Sequence, residues 1–151
     1  MIRIMFVCHG NICRSPMAEY IMKKLAADAG RDDIICASSA TSTEEIWGDI
    51  GNPIYPPAKD MMHRRGIPFD EHHAVQLRRS DYAAYDLIIG MDSANIRNIM
   101  RITGGDPDGK IHKLLSFAGS SRDVADPWYS GDFSTAFDDI MTGCTALMAK
   151  L

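Results

Sequence analysis

The sequence predicts an α/β fold, a single domain in which a four-stranded parallel sheet is flanked by helices on both faces. Three observations carry this. Short apolar runs alternate with stretches of helical periodicity, as in chains built from βαβ units. The chain has 151 residues, enough for one domain with a sizeable core. No repeat, linker or low-complexity stretch divides it, so residues 1–151 are expected to form one unit.

The first strand is expected over Ile2–Val7, where Ile2, Ile4, Met5, Phe6 and Val7 make an apolar run. A helix follows over Pro16–Ala29, with apolar residues at Met17, Ala18, Ile21, Met22, Leu25, Ala26 and Ala29. Pro16 suits its first position, Ser15 its cap and Gly30 its stop. Ile34–Ser38 is the second strand. Helices are expected at Pro57–Arg65 and Ser80–Ala84, a third strand at Asp86–Met91, and a helix at Ala94–Ile102 capped by Asp92 and Ser93. Ile111–Ser116 is the fourth strand. The terminal helix, Phe133–Lys150, carries Phe133, Phe137, Ile140, Met141, Cys144, Leu147, Met148 and Leu151 on one face. Right-handed crossovers put the loop after every strand on one edge of the sheet, where open α/β sheets bind ligands. The Cys8 loop, the Thr41–Asn52 loop, the Asp92 turn and the Phe117–Asp132 loop are therefore expected to meet.

Composition excludes several classes. The formal net charge is -4 and no basic run occurs, which argues against a nucleic-acid binder. No apolar stretch is long enough for a signal peptide or a membrane span. Four cysteines without a secretory signal suggest a reducing compartment, so the cytoplasm is the expected location. Cys36 and Cys144 lie in apolar runs and read as inert core residues. Cys8, His9 and Cys13 lack a partner pair at zinc spacing, so no metal site is expected, and no Walker-type nucleotide loop occurs.

The chemistry concentrates in Cys8-His9-Gly10-Asn11-Ile12-Cys13-Arg14-Ser15. This turn joins a strand to a helix N-terminus, where free backbone N–H groups and the helix dipole favour an anion. The same placement favours thiolate over thiol at Cys8. A thiol aimed into an anion site, with an arginine to grip the anion, is suited to attacking a phosphate ester. Arg14 can bind two phosphoryl oxygens at once and hold charge as the transition state develops. Gly10 and Asn11 tolerate positive φ, which the turn needs if its amides are to point inward.

The Cys-x5-Arg-Ser loop directly after the first strand resembles the low-molecular-weight protein tyrosine phosphatase family. The resemblance continues through Ser15-Pro16-Met17-Ala18-Glu19, Ser38-Ser39-Ala40-Thr41, Gly51-Asn52-Pro53, Gly66-Ile67-Pro68, Met91-Asp92 and Asp126-Pro127-Trp128-Tyr129, nearly the whole chain. It implies a cofactor-free phosphomonoesterase acting on phosphotyrosine-containing proteins, expected to work as a monomer. By the same resemblance Cys8 is the nucleophile that forms a phosphocysteine, within a phosphate-binding loop of His9, Gly10, Asn11, Ile12, Cys13 and Ser15. Ser15 would also hydrogen-bond the departing thiolate. Asn11 would hold the loop's shape through its side chain, supported by Ser38 and His72. Val75 departs from the family habit, which commonly has an arginine there.

Asp126 before Pro127 reads locally as a turn former; the resemblance makes it the general acid, with Asp92 as the rival. Trp128 and Tyr129, with Trp47 in the facing loop, would wall in a flat aromatic ring. Ile12 looks like the tyrosine-directed version of the loop, because related phosphoarginine phosphatases carry threonine there. The long Thr43–Pro57 loop, with Glu44, Glu45 and Asp49, is expected to disfavour acidic substrates. Cys13 reads either as a disulfide partner protecting Cys8 from over-oxidation or as a small buried side chain. Arsenate reduction is the first rival activity, but it needs two more redox cysteines on a mobile segment. A non-catalytic phosphate-binding module would have lost the thiol or the acid.

Overall fold

The computed structural model describes residues 1–151. In chain order the elements are β1 (Ile2–Cys8), α1 (Arg14–Asp28), β2 (Ile34–Ala40), the two-residue strands β3 (Ile46–Trp47) and β4 (Ile50–Gly51), α2 (Pro56–Arg64), α3 (Asp81–Ala84), β5 (Leu87–Gly90), α4 (Ser93–Thr103), β6 (Ile111–Lys113), a 3₁₀ turn over Leu114–Ala118, α5 (Pro127–Ser130) and α6 (Phe133–Ala149). The main sheet has the order β2-β1-β5-β6 and every pairing in it is parallel. It is the predicted four-stranded α/β architecture.

β1 lies inside the sheet, so its apolar run is divided between two faces by the two-residue period of a strand. Ile4 and Phe6 join Met17, Ile21 and Met22 of α1 and Phe137, Ile140 and Leu147 of α6 in the larger core. Ala58 and Met62 of α2 belong to the same core. Met5 and Val7 pack on the other face with Ile88, Ile99 and Ile111, under α4. Burying a side chain such as Phe6 contributes about 2–3 kcal/mol, so both layers are held by the same strand. Cys36 and Cys144 are buried in the larger core as expected, and burial pushes the Cys36 thiol up to about 12.

Several boundaries differ from expectation, each for a local reason. α1 begins at Arg14, so Ser15 is not its cap; Cys13 occupies that position without a side-chain cap. β2 runs to Ala40 because its last residues pair with Val7 and Cys8. The fourth strand stops at Lys113, and Leu114 and Leu115 turn inward to the core that α6 covers. Asp92 does cap α4, accepting from the Asn95 amide at 2.7 Å, but Ser93 is the first helical residue and instead donates to Asp123. The β3–β4 hairpin and α5 were not legible as elements. The hairpin turns at Gly48, with φ of +67°, the left-handed region glycine tolerates.

Candidate active site

Cys8 ends β1 and Arg14 opens α1, so five residues reverse the chain at the strand's C-terminal end. The carbonyls of that turn face outward: Cys8 accepts from the Thr41 amide (3.0 Å), His9 from the Ser42 amide (3.1 Å) and Ile12 from the Tyr55 amide (2.8 Å). Each N–H lies on the opposite side of its planar peptide from the carbonyl before it. The amides of His9, Gly10 and Cys13 are thereby turned away from those contacts, toward the loop's interior, an arrangement of the kind that can hold an anion.

Asn11 carries the turn's strain and its support. It is fully buried and is the one non-glycine residue with positive φ, +58°. Its backbone N–H points at Cys8 Sγ (3.3 Å), while Nδ2 donates to Ser15 Oγ (2.9 Å) and Ser38 Oγ (3.0 Å). Oδ1 accepts from the Val75 amide (3.1 Å) and from His72 Nε2 (3.0 Å). The Ser38 hydroxyl in turn donates to buried Glu19 at 2.6 Å. Ser15 Oγ lies 3.1 Å from Cys8 Sγ, so the residue expected to cap the helix serves the thiol instead. Ser38 and His72 therefore stand where expected. Val75 supports Asn11 through its backbone, for which its side-chain identity is immaterial. Burial, opposed by nearby Glu19, pulls the His72 imidazole below its ordinary range and favours the neutral ring.

Arg14 is 2% exposed. Nη1 donates to Asp92 Oδ2 and to the Val124 carbonyl, both at 2.8 Å, and Nη2 reaches Asp126 Oδ2 at 3.4 Å. Burial works against its charge, but Cys8, Asp126 and Asp92 outweigh that and hold the guanidinium above its ordinary range. Of its five N–H donors, Nε–H and one Nη2–H remain uncommitted, a fork suited to two oxygens of one anion. Asp126 also caps α5, its Oδ1 accepting from the Trp128 amide at 3.0 Å, so it forms the expected turn while its other oxygen faces Arg14. Asp92 is the anchor of Arg14, a contact sequence reasoning missed; its place after β5, on the shared edge, was the available signal. Burial and the neighbouring Cys8 push the Cys13 thiol upward, and Cys8 and Cys13 are both free.

These residues open into a cleft lined by Cys8–Arg14, Glu44, Glu45, Asp126, Trp128 and Tyr129. Trp128 leans on Tyr55 with ring centroids 4.9 Å apart, and Tyr55 packs in turn on Phe133. Tyr55 thus supports one wall, a role nothing in its local sequence marked. Trp47 does not line the cleft. It sits in the hairpin, cross-strand from Ile50 and 72% exposed, and the Glu44-Glu45 step before β3 forms that wall instead. No three His, Cys, Asp or Glu side chains converge to hold a metal ion.

A parallel α/β sheet whose inner strand ends in a thiol, a ring of inward amides and a buried arginine defines a class: small proteins with a cysteine-centred phosphate-binding loop. Comparison makes this specific. The model of the family "Low molecular weight phosphotyrosine protein phosphatase" matches residues 3–151. The chain belongs to this family. It is 41% identical, over 154 aligned positions covering 100% of its length and 96% of the relative, to the low molecular weight protein-tyrosine-phosphatase YfkJ of Bacillus subtilis. It is 36% identical to PtpA of Staphylococcus haemolyticus, covering 98% of this chain and 92% of that one. Among solved structures, YfkJ superposes with a TM-score of 0.92 at 38% identity, covering 99% of this chain and 94% of the other. A low molecular weight protein tyrosine phosphatase from Streptococcus pyogenes superposes at 0.88 with 34% identity, covering 100% and 93%.

Proposed function

We propose that this chain hydrolyses phosphotyrosine in proteins through a phosphocysteine on Cys8. In the first half-reaction Cys8 Sγ forms a bond to phosphorus as the bond from phosphorus to the phenolic oxygen breaks. Asp126 delivers the proton that the departing phenolate needs, a contribution of about 10²–10⁴-fold. In the second, Asp126 takes a proton from water as its oxygen attacks phosphorus, the S–P bond breaks, and phosphate leaves. Ser15, 3.1 Å from Cys8 Sγ, donates to the thiolate as it departs. The inward amides and the free fork of Arg14 hold the phosphoryl oxygens throughout.

One observation carries this reading: the Cys8 sulfur sits at the start of α1 within reach of the Asn11 amide and the Ser15 hydroxyl, in a cleft shared with Arg14 and Asp126. The Trp128 and Tyr129 wall suits a flat aryl phosphate. Four free thiols suit a reducing compartment, and the same reading assigns the enzyme to the cytoplasm as a monomer. The test is Cys8→Ser assayed on p-nitrophenyl phosphate, phosphotyrosine and phosphoarginine, with arsenate reduction in parallel. The expected result is phosphotyrosine turnover by the wild type and none by the variant, which still binds vanadate. Turnover by Cys8→Ser would remove Cys8 as nucleophile.

A further inference from the structure

The cleft has one buried cation, Arg14, and it is already matched by Asp92 and Asp126. Its remaining charged lining is acidic. Glu44 and Glu45 enter from the segment between β2 and β3, and that segment is strapped to the phosphate loop at several points. Ser42 binds the His9 carbonyl through both its amide (3.1 Å) and its hydroxyl (2.9 Å). Glu44 Oε2 meets His9 Nε2 at 2.9 Å, with the Glu44 side chain 70% exposed. Glu45 packs against Gly10, where a Cβ would lie 3.2 Å from Glu45 Cγ, and accepts from Asn52 Nδ2 at 2.6 Å. Two carboxylates are therefore held in place, next to where a substrate's phosphate would sit.

We propose that Glu44, steadied by His9, together with Glu45 selects phosphotyrosine flanked by lysine or arginine and rejects acidic flanks. This rests on the phosphatase reading above and names its peptide preference. Phosphotyrosine inserted into the cleft leaves its neighbouring residues at the mouth, about 3.5 Å per residue along an extended peptide. A lysine or arginine there meets Glu44 and Glu45, neither of which is paired with a lysine or arginine, and an aspartate or glutamate meets like charge. Carboxylates at the rim act mostly through discrimination and encounter, and weaken with salt. The hydrogen bonds to His9 and Asn52 reduce the side-chain entropy lost on ion pairing. The same wall raises the cost of any acidic protein surface approaching Cys8.

The experiment compares kcat/KM for matched phosphotyrosine peptides with Lys, Ala or Glu beside the phosphotyrosine, with p-nitrophenyl phosphate as the reference substrate. The wild type is expected to prefer the Lys peptide over the Glu peptide roughly three- to tenfold at low salt. That ratio should fall toward one as salt rises from about 0.02 to about 0.3 M. Glu44→Gln/Glu45→Gln should flatten it, and Glu44→Lys should invert it. Asp28→Asn, at the far end of α1 and about 20 Å from the loop by helix rise, should leave it unchanged. Equal rates on all peptides in the wild type, or a preference that survives in Glu44→Gln/Glu45→Gln, overturn the proposal and leave the phosphatase intact. No turnover of p-nitrophenyl phosphate or any peptide instead sinks the phosphatase reading itself.

Discussion

Asn11→Ala removes four side-chain hydrogen bonds at one buried position: to Ser15, to Ser38, from the Val75 amide and from His72. Each is worth about 1 kcal/mol. The loss is discounted because Ser15 keeps Cys8 and Ser38 keeps Glu19 as partners. It is increased because alanine tolerates the left-handed backbone at φ of +58° less well than asparagine. The sum is about 3–4 kcal/mol, which for a chain of this size lowers the melting temperature by roughly 8–12 °C. Asn11→Gly loses the same bonds but not the backbone strain, and should recover up to about 1 kcal/mol relative to alanine. Thermal unfolding followed by circular dichroism reads both variants. The loop's amides lose their registration with Cys8 in either case, so kcat/KM for p-nitrophenyl phosphate should fall about a hundredfold. An alanine variant melting within about 3 °C of the wild type, or a glycine variant less stable than the alanine one, would refute the account of the loop.

Other consequences follow from the same geometry. Asp126→Ala should cut turnover by about 10²–10⁴-fold for substrates with poor leaving groups and far less for good ones; equal loss across a leaving-group series would point to another acid. Burial disfavours protonated His72 in the folded state, so below the ordinary value of 6.5 the unfolded chain binds more protons. Stability should therefore fall as pH drops from about 6.5, levelling off once the folded form also takes up the proton. The difference between wild type and His72→Asn in a pH series of denaturant melts isolates this contribution, and a flat difference would show the ring is not held neutral. Gly51→Ala should cost about 2–3 kcal/mol in chemical denaturation, since a Cβ there would sit inside the backbone of Ala74.

The residues that declared themselves in sequence are those whose chemistry depends on local order. β1 and α1 have unambiguous periodicities, so the Cys8–Arg14 turn between them could be placed at a helix N-terminus before any coordinates. Asp92 and Asp126 could be gathered at one sheet edge because parallel strands force it, whereas Ser38 and His72 were marked only by the family resemblance. The hairpin of β3 and β4 escaped notice because two-residue strands have no measurable periodicity. What positions them is a close approach of Gly51 to Ala74 across a gap in sequence. Trp47 was assigned to the cleft by the rule that aromatics near a site line it. The hairpin rotates Trp47 outward, so Glu44 and Glu45 form the wall and the acidity of this loop, read as a bulk property, becomes local.

Arg14 shows why a motif and a site are different things. The spacing Cys-x5-Arg says that a guanidinium reaches the anion, but not what keeps it there when no anion is bound. A buried arginine without partners would be costly. Asp92 and the Val124 carbonyl take Nη1, and Asp126 shares Nη2, so the charge is compensated while a fork stays open. Asp92 also caps α4 through its other oxygen, which binds the orientation of Arg14 to the folding of a helix on the opposite face of the sheet. Replacing Asp92 with asparagine keeps a plausible cap but removes the charge facing Arg14. Because Arg14 keeps Asp126 and the Val124 carbonyl, such a variant should lose about 1–3 kcal/mol of stability and hold phosphate less selectively, with KM and kcat both changed. If Asp92→Asn altered only the melting temperature, the anchor would be structural and the fork would owe its geometry to the loop alone.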